Sequence, residues 1–207
     1  METQIYLIRH SQTTGNTEKR LAGRTDFVIT PEGQKYIDLL TSKLKKVHFD
    51  VAYSSTSKRT YNTILKLAQI NNLRIIEDEQ LCEMSFGIYD GMTWEEVNKI
   101  NPQIDVLHKQ TNEIMMIPNQ ESSFEVADRM YNEILKIAMK NIGKTILICS
   151  HGVAIEAFLR KISGVPFTEK VQEYSQKNTA INILKFHNES KTFELIKLND
   201  YSHLAER

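Results

Sequence analysis

The sequence predicts an α/β protein: a three-layer, doubly wound, mostly parallel sheet with helices on both faces and a small cap or lid inserted around residues 101–120. Three observations carry that expectation. Short aliphatic runs recur along the chain, Ile5-Tyr6-Leu7-Ile8 and Thr145-Ile146-Leu147-Ile148-Cys149 foremost, and uninterrupted apolar runs suit strands covered on both faces by helices. Amphipathic stretches with helical spacing alternate with these runs. Two of the runs end directly in a histidine, at Arg9-His10-Ser11 and Ser150-His151-Gly152, and in open α/β sheets ligands gather beyond the carboxyl ends of the strands.

The bulk properties narrow the function. A chain of 207 residues fits one domain over 1–207, long enough to bury a sizeable core. Lysine plus arginine and aspartate plus glutamate both number 26, so no overall basic field exists to hold nucleic acid or an anionic membrane, and any anion site must be local. Cys82 and Cys149 form no C-x-x-C pair, and Cys149 lies inside an apolar strand, as an inert buried thiol does. The start Met1-Glu2-Thr3-Gln4 has no basic segment before an apolar one, and no run reaches the roughly 20 residues of a membrane span. A reduced, cytoplasmic protein is expected, with no nucleic-acid or membrane partner; its oligomeric state stays open.

The elements follow in order. After the first strand, Ser11 to Ile29 is polar and carries Gly15, Gly23 and Asp26, which predicts a loop with at most a turn of helix. Thr30-Pro31-Glu32 is a helix start, with Thr as cap and Pro in the first turn, and Ile37, Leu40, Leu44 and Val47 recur at helical spacing. Lys43, Lys45 and Lys46 then read as a solvated last turn. Asp50 to Ser55 is a second strand. Ser57 caps a helix to about Ile70 with Tyr61, Ile64, Leu65 and Ala68 inward, and Leu73 to Glu77 is a third strand. Asp78 to Asp90 is a polar loop holding Glu79 and Glu83, followed by a short helix capped at Thr93. The segment 101–120 contains Ile114-Met115-Met116-Ile117, the greasy inner face of a lid or ordinary packing. Glu121 to Asn141 is an amphipathic helix with Phe124, Ala127, Tyr131, Ile134 and Ala138 on its inner stripe. A helix from His151 to about Ile162 follows the last parallel strand, and a hairpin of Ala180–Phe186 with Thr192–Leu198 closes one sheet edge.

Arg9 at the end of one apolar strand, and Arg59 on the first turn of a helix that is itself positive at that end, make sense if an anion lies between them. A neutral imidazole is a competent nucleophile toward phosphorus, and arginine's paired N–H donors suit phosphoryl oxygens. Of the two histidines, one is expected neutral and the other charged. An acid must protonate the leaving oxygen, and Glu79, Glu83 and Asp90 are all candidates.

These residues carry a resemblance. Arg9-His10-Ser11-Gln12-Thr13-Thr14-Gly15-Asn16 resembles the R-H-G-x-T-x-x-N signature of the histidine phosphatase (phosphoglycerate mutase-like) superfamily. Gly23, Asp26 and Thr30-Pro31-Glu32-Gly33-Gln34 resemble its G-x-x-D…L-T-x-x-G-x-x-Q stretch. Ser54-Ser55 with Arg59-Thr60 resembles its second arginine motif, Leu81 to Gly87 its acid-bearing loop, and Ser150-His151-Gly152 its second histidine motif. The resemblance implies a doubly wound fold, His10 as nucleophile, Glu83 as proton donor, and Arg9, Arg59 and His151 as a phosphate clamp. It adds Asn16 as a phosphate contact, with Gln12, Thr13 and Gly23 nearby, and it implies no metal and no cofactor. Ser11 stands where the family usually has glycine; it strains the loop only if that position needs positive φ.

The loop from Met84 to Thr93 has no arginine or lysine, whereas the mutase branch typically carries arginine there. The expected activity is therefore hydrolysis of a small-molecule phosphomonoester, with mutase-type phosphoryl transfer and a non-catalytic phospho-ligand binder as alternatives. Arg24 or Gln12 could read polar portions of the ester. A two-histidine metal site fits poorly, because flanking arginines repel a dication. His48, His108, His187 and His203 are expected to be structural or solvent-facing.

Overall fold

The protein is described here by a computed structural model covering residues 2–102, 118–168 and 171–205. Its sheet has six strands: β1 (Thr3–Arg9), β2 (Val51–Ser54), β3 (Ile75–Glu77), β4 (Thr145–Ser150), β5 (Ile181–His187) and β6 (Thr192–Asp200), in the order β3-β2-β4-β1-β5-β6. The first four strands in that order run parallel, and β5 and β6 complete one edge as an antiparallel hairpin. Among the described residues six α-helices surround them: α1 (Thr14–Thr17), α2 (Pro31–Leu44), α3 (Lys58–Ile70), α4 (Trp94–Ile100), α5 (Ser123–Lys140) and α6 (Gly152–Ser163).

The pleat of β1 sorts its side chains between two cores. Ile5 and Leu7 face one side with Val126, Ile134, Ile155 and Phe158 of α5 and α6, while Tyr6 and Ile8 face the other with Leu40, Ile64 and Leu67 of α2 and α3. This is the three-layer arrangement the unbroken apolar runs predict. The register that matters most is β1 against β4, where Gln4 lies opposite Thr145 and Arg9 opposite Ser150. His10 and His151 therefore leave the sheet as neighbours, and the His10 N–H donates to the Ser150 carbonyl at 3.0 Å.

Local chemistry fixes the helix ends. The Thr30 hydroxyl accepts from the Gly33 N–H ahead of Pro31, Ser122 and Glu125 close a capping box on α5, and Gly164 ends α6 at φ 67°. Two boundaries and one inward position differ from expectation. Leu73 belongs to the C-terminus of α3, since Asn72 turns left-handed at φ 54° and the Leu73 N–H returns to the Ala68 carbonyl, so β3 begins only at Ile75. Glu121 precedes α5 because its carboxylate binds Ser85 and Arg129, leaving Ser122 as the cap. Phe124 is 59% exposed: it sits on the first turn of α5, where its cover is the edge of Phe167, with ring centroids 4.9 Å apart.

Lys43 is not merely solvated. Its ammonium donates to Asp200 and to the Ser202 hydroxyl, fastening α2 to the end of the chain. Most of the expected cap, including Ile114 to Ile117, lies outside the described residues. No helix among the described residues is long and apolar enough to cross a membrane.

Candidate active site

The crevice beyond the ends of β1 and β4 brings His10, His151, Arg9, Arg59 and Glu83 together. The two imidazoles are buried with ring centroids 5.3 Å apart. Their hydrogen bonds fix both tautomers. His10 Nδ1 lies 2.7 Å from the Ser11 carbonyl, which can only accept, so Nδ1 carries the proton and Nε2 keeps its lone pair. His151 Nδ1 faces the Nε–H and an Nη2–H of Arg59 at 3.2 and 3.0 Å, so it accepts, and its Nε2–H donates to the Ser55 hydroxyl at 2.7 Å.

Arg59 stands on α3 with its guanidinium wholly buried. Besides His151 it donates to the carbonyls of Thr25 and Gly23 at 2.7 and 2.8 Å and to Asp26 at 3.2 Å. Asp26 also accepts the Lys58 N–H and thereby caps α3, tying the long loop after β1 to this helix. Gly23 serves Arg59 through its backbone. At φ 25° a Cβ there would stand 1.6 Å from an Asp90 carboxylate oxygen, so only glycine can present that carbonyl.

Arg9 donates one Nη1–H to the Gln176 carbonyl at 2.5 Å, while its buried Nε–H has no partner among the described residues. Its guanidinium lies 3.3 Å from where a Cβ on Gly152 would be, so the bare start of α6 lets it lie close. Burial pulls Arg9 below the ordinary arginine value, the charge of Glu83 opposing this and that of Arg59 adding to it. Glu83 sits at the N-terminus of α6: one carboxylate oxygen accepts from Met84 and Ala154 at 3.0 and 2.8 Å, the other from Val153 at 3.2 Å.

Burial holds both histidines well below the usual histidine value, and the charges of Arg59 and Arg9 push the same way. Burial and the two neighbouring guanidiniums thus disfavour a proton on either ring. His203, with its value lowered to about 4, is also buried and neutral. For all three, the unfolded chain takes up protons near pH 6.5 while the folded chain does not, so this contribution is complete above that pH and shrinks as the pH falls. Calorimetry is expected to show the melting temperature falling steadily from pH 7 to pH 5, with inorganic phosphate reducing the fall.

The other expected contacts have mixed placements. The Asn16 Oδ1 accepts from the Thr13 N–H and hydroxyl and from Asn178. Gln12 Oε1 accepts from the Thr30 hydroxyl, and Arg24 reaches Glu121. Glu79 lies in a 3-10 turn whose cap is Asp78, and Asp90 binds the Phe86 N–H, so neither shares the cradle of Glu83.

Ser11 is fully buried and free of positive φ. Its hydroxyl donates to the Gly33 carbonyl at 2.6 Å and its N–H to Thr63 at 2.9 Å, so the serine bolts the nucleophile loop to α2. Ser11→Gly should leave turnover within a few-fold but cost about 1–2 kcal/mol, lowering the melting temperature by roughly 2–8 °C.

Two supporting groups carried no motif. Arg129 of α5 pairs doubly with Glu121 and donates to the carbonyls of Gln80, Cys82 and Glu83, holding the acid's loop. Its signal was a lone cation among the buried positions Val126, Ala127 and Met130. The segment 176–180 had no such signal, yet it grips the end of β1: the Ala180 carbonyl accepts the Arg9 N–H, and Asn178 donates to the His10 carbonyl at 3.1 Å.

Two histidines that follow adjacent strands of a doubly wound sheet thus meet two guanidiniums, one from β1 and one from α3, in a single crevice whose charge suits an anion. The sequence profile of the histidine phosphatase superfamily (branch 1) matches residues 5–200, and the chain belongs to that family. It is 28% identical to phosphoserine phosphatase 1 of Hydrogenobacter thermophilus over 98% of this chain and 95% of that protein. The structure of YhfR from Bacillus stearothermophilus superposes with a TM-score of 0.91 at 26% identity, over 98% of this chain and 99% of that one. A phosphoserine phosphatase variant from Entamoeba histolytica, solved in complex with phosphoserine, has a TM-score of 0.81 at 26% identity over 98% and 99% of the two chains.

Proposed function

We propose that this chain hydrolyses small phosphomonoesters through a phosphohistidine at His10, with phosphoserine the first ester to test. One observation carries the mechanism: His10 is locked by Ser11 with its Nε2 lone pair free, in the same crevice as the unpartnered Nε–H of Arg9. An incoming phosphoryl group satisfies that donor and takes over the Arg59 N–H groups that now point at His151 Nδ1. Its negative charge favours a proton on His151 Nδ1, turning that nitrogen from acceptor to donor.

His10 Nε2 attacks phosphorus, and the bond to the ester oxygen breaks. Arg9, Arg59 and His151 meet the charge on the three other oxygens. Glu83 gives a proton to the leaving alkoxide, then as carboxylate takes one from the water that attacks the phosphohistidine, releasing phosphate and restoring His10. Every charge in the sequence has a protein partner, so the reading includes no metal. The phosphoserine choice rests on the relatives' names and on the loop Met84–Thr93, where the cations that would retain a bisphosphorylated intermediate are lacking.

The test is a phosphomonoester panel with phosphoserine and 3-phosphoglycerate, run with chelator on wild type and His10→Ala, trapping labelled enzyme by rapid quench. Acid-labile label on wild type alone, with phosphate release from a preferred ester, is expected. Binding without label points to a phospho-ligand binder, isomerisation of 3-phosphoglycerate in the presence of 2,3-bisphosphoglycerate to a mutase, and loss of rate with chelator to a metal requirement; each overturns the reading.

A further inference from the structure

The residue that orients the nucleophile's backbone is itself held by the end of the chain. Thr179 is fully buried with φ 57°, a left-handed conformation that is rare for a β-branched residue and persists only where surroundings over-determine it. The other described non-glycine residues with positive φ are asparagines and lysines, which tolerate turns of that kind or lie in exposed ones. The conformation has a visible consequence: it aims the Thr179 N–H at the His10 carbonyl, 3.3 Å away, beside the second donor from Asn178.

What keeps Thr179 there is a chain of hydrogen bonds with one possible direction. Its hydroxyl donates to the Asn178 carbonyl at 2.7 Å, so toward His203 Nε2, 2.9 Å away, the oxygen accepts and the imidazole donates. That leaves His203 Nδ1 buried and without a partner among the described residues, so this ring gives up one hydrogen bond to make the other. His203 lies in the short turn Ser202–Leu204 after β6, which Lys43 of α2 fastens through Asp200 and the Ser202 hydroxyl. Just upstream, Asn199 binds the carbonyls of Glu173 and Ser175 and the Lys177 N–H. The same C-terminal stretch thus braces both ends of the loop that grips Arg9 and His10.

We infer that Thr179 and His203 are a positioning pair for the phosphorylation of His10, setting the bearing of the nucleophile through its carbonyl without touching the substrate. The inference rests on His10 being the nucleophile. Thr179→Val keeps the β-branched shape and removes the hydroxyl, and His203→Leu removes the donor at similar bulk. Thr179→Ser and His203→Gln keep the hydroxyl and an amide donor in place.

The readouts are the rate of His10 labelling in a single turnover and the inhibition constant of inorganic phosphate, which reports the arginine clamp. Thr179→Val and His203→Leu are expected to slow labelling about tenfold or more with phosphate inhibition within about twofold of wild type, and the conservative variants to label within about threefold. The double variant should be no slower than the slower single one. Labelling of Thr179→Val within about twofold of wild type overturns the inference, as does weakening of phosphate inhibition in step with the rate, which would mark general damage to the site. Should His203→Leu not fold, Thr179→Val and His203→Gln decide the question. Absence of label on wild type defeats the phosphohistidine reading; label forming equally fast on wild type and Thr179→Val defeats this inference alone.

Discussion

Arg59→Lys is expected to lower turnover by roughly 10²- to 10³-fold and to destabilise the fold by about 3 kcal/mol. The guanidinium spreads its donors over the Gly23 and Thr25 carbonyls, Asp26 and His151 Nδ1. An ammonium is a point charge that cannot cover those directions together, so a lysine keeps the charge and leaves buried acceptors unpaired. Both losses have one origin, since the group proposed to receive phosphate also ties the 20s loop to α3. Urea denaturation and burst kinetics read them separately. A variant that keeps turnover within tenfold of wild type would show that charge alone, without the planar fork, is enough.

The fold was legible where apolar pattern decides it. β1 and β4 read as strands because each is a short unbroken aliphatic run, and the hairpin and helix caps followed from turn and cap chemistry. Boundaries set by particular hydrogen bonds were not: Leu73 is aliphatic and reads as strand, but the left-handed turn at Asn72 commits its N–H to α3. In the site, placing the two histidines after parallel strands made their proximity foreseeable from topology. The lowering of both rings' values was not, because it arises first from burial and then from two guanidiniums that meet beside them only in the fold. Glu83, Glu79 and Asp90 look alike in sequence, and what separates Glu83 is its cradle at the start of α6, more than sixty positions along the chain. Ser11 stands where glycine is usual, but its backbone has no positive φ, so the serine fits without strain and its hydroxyl adds a bond to the Gly33 carbonyl. The bracing by Thr179 and His203 leaves no sequence trace, as neither residue belongs to a periodic pattern.

Glu83→Gln separates acid catalysis from clamping most sharply. The amide oxygen can keep the bonds from Met84 and Ala154, while its NH₂ must face the Val153 N–H, so the side chain stays near its place at modest cost in stability. What it cannot do is give a proton to an alkoxide. Hydrolysis of alkyl esters such as phosphoserine should therefore fall by about 10²- to 10⁴-fold, whereas p-nitrophenyl phosphate, whose leaving group departs as a stable anion, should be labelled onto His10 nearly as fast as by wild type. The phosphohistidine should then accumulate, because the same carboxylate activates the water of the second step. Equal losses on both esters, with no build-up of labelled enzyme, would mean that Glu83 acts by holding the start of α6 and that the leaving oxygen takes its proton from another group.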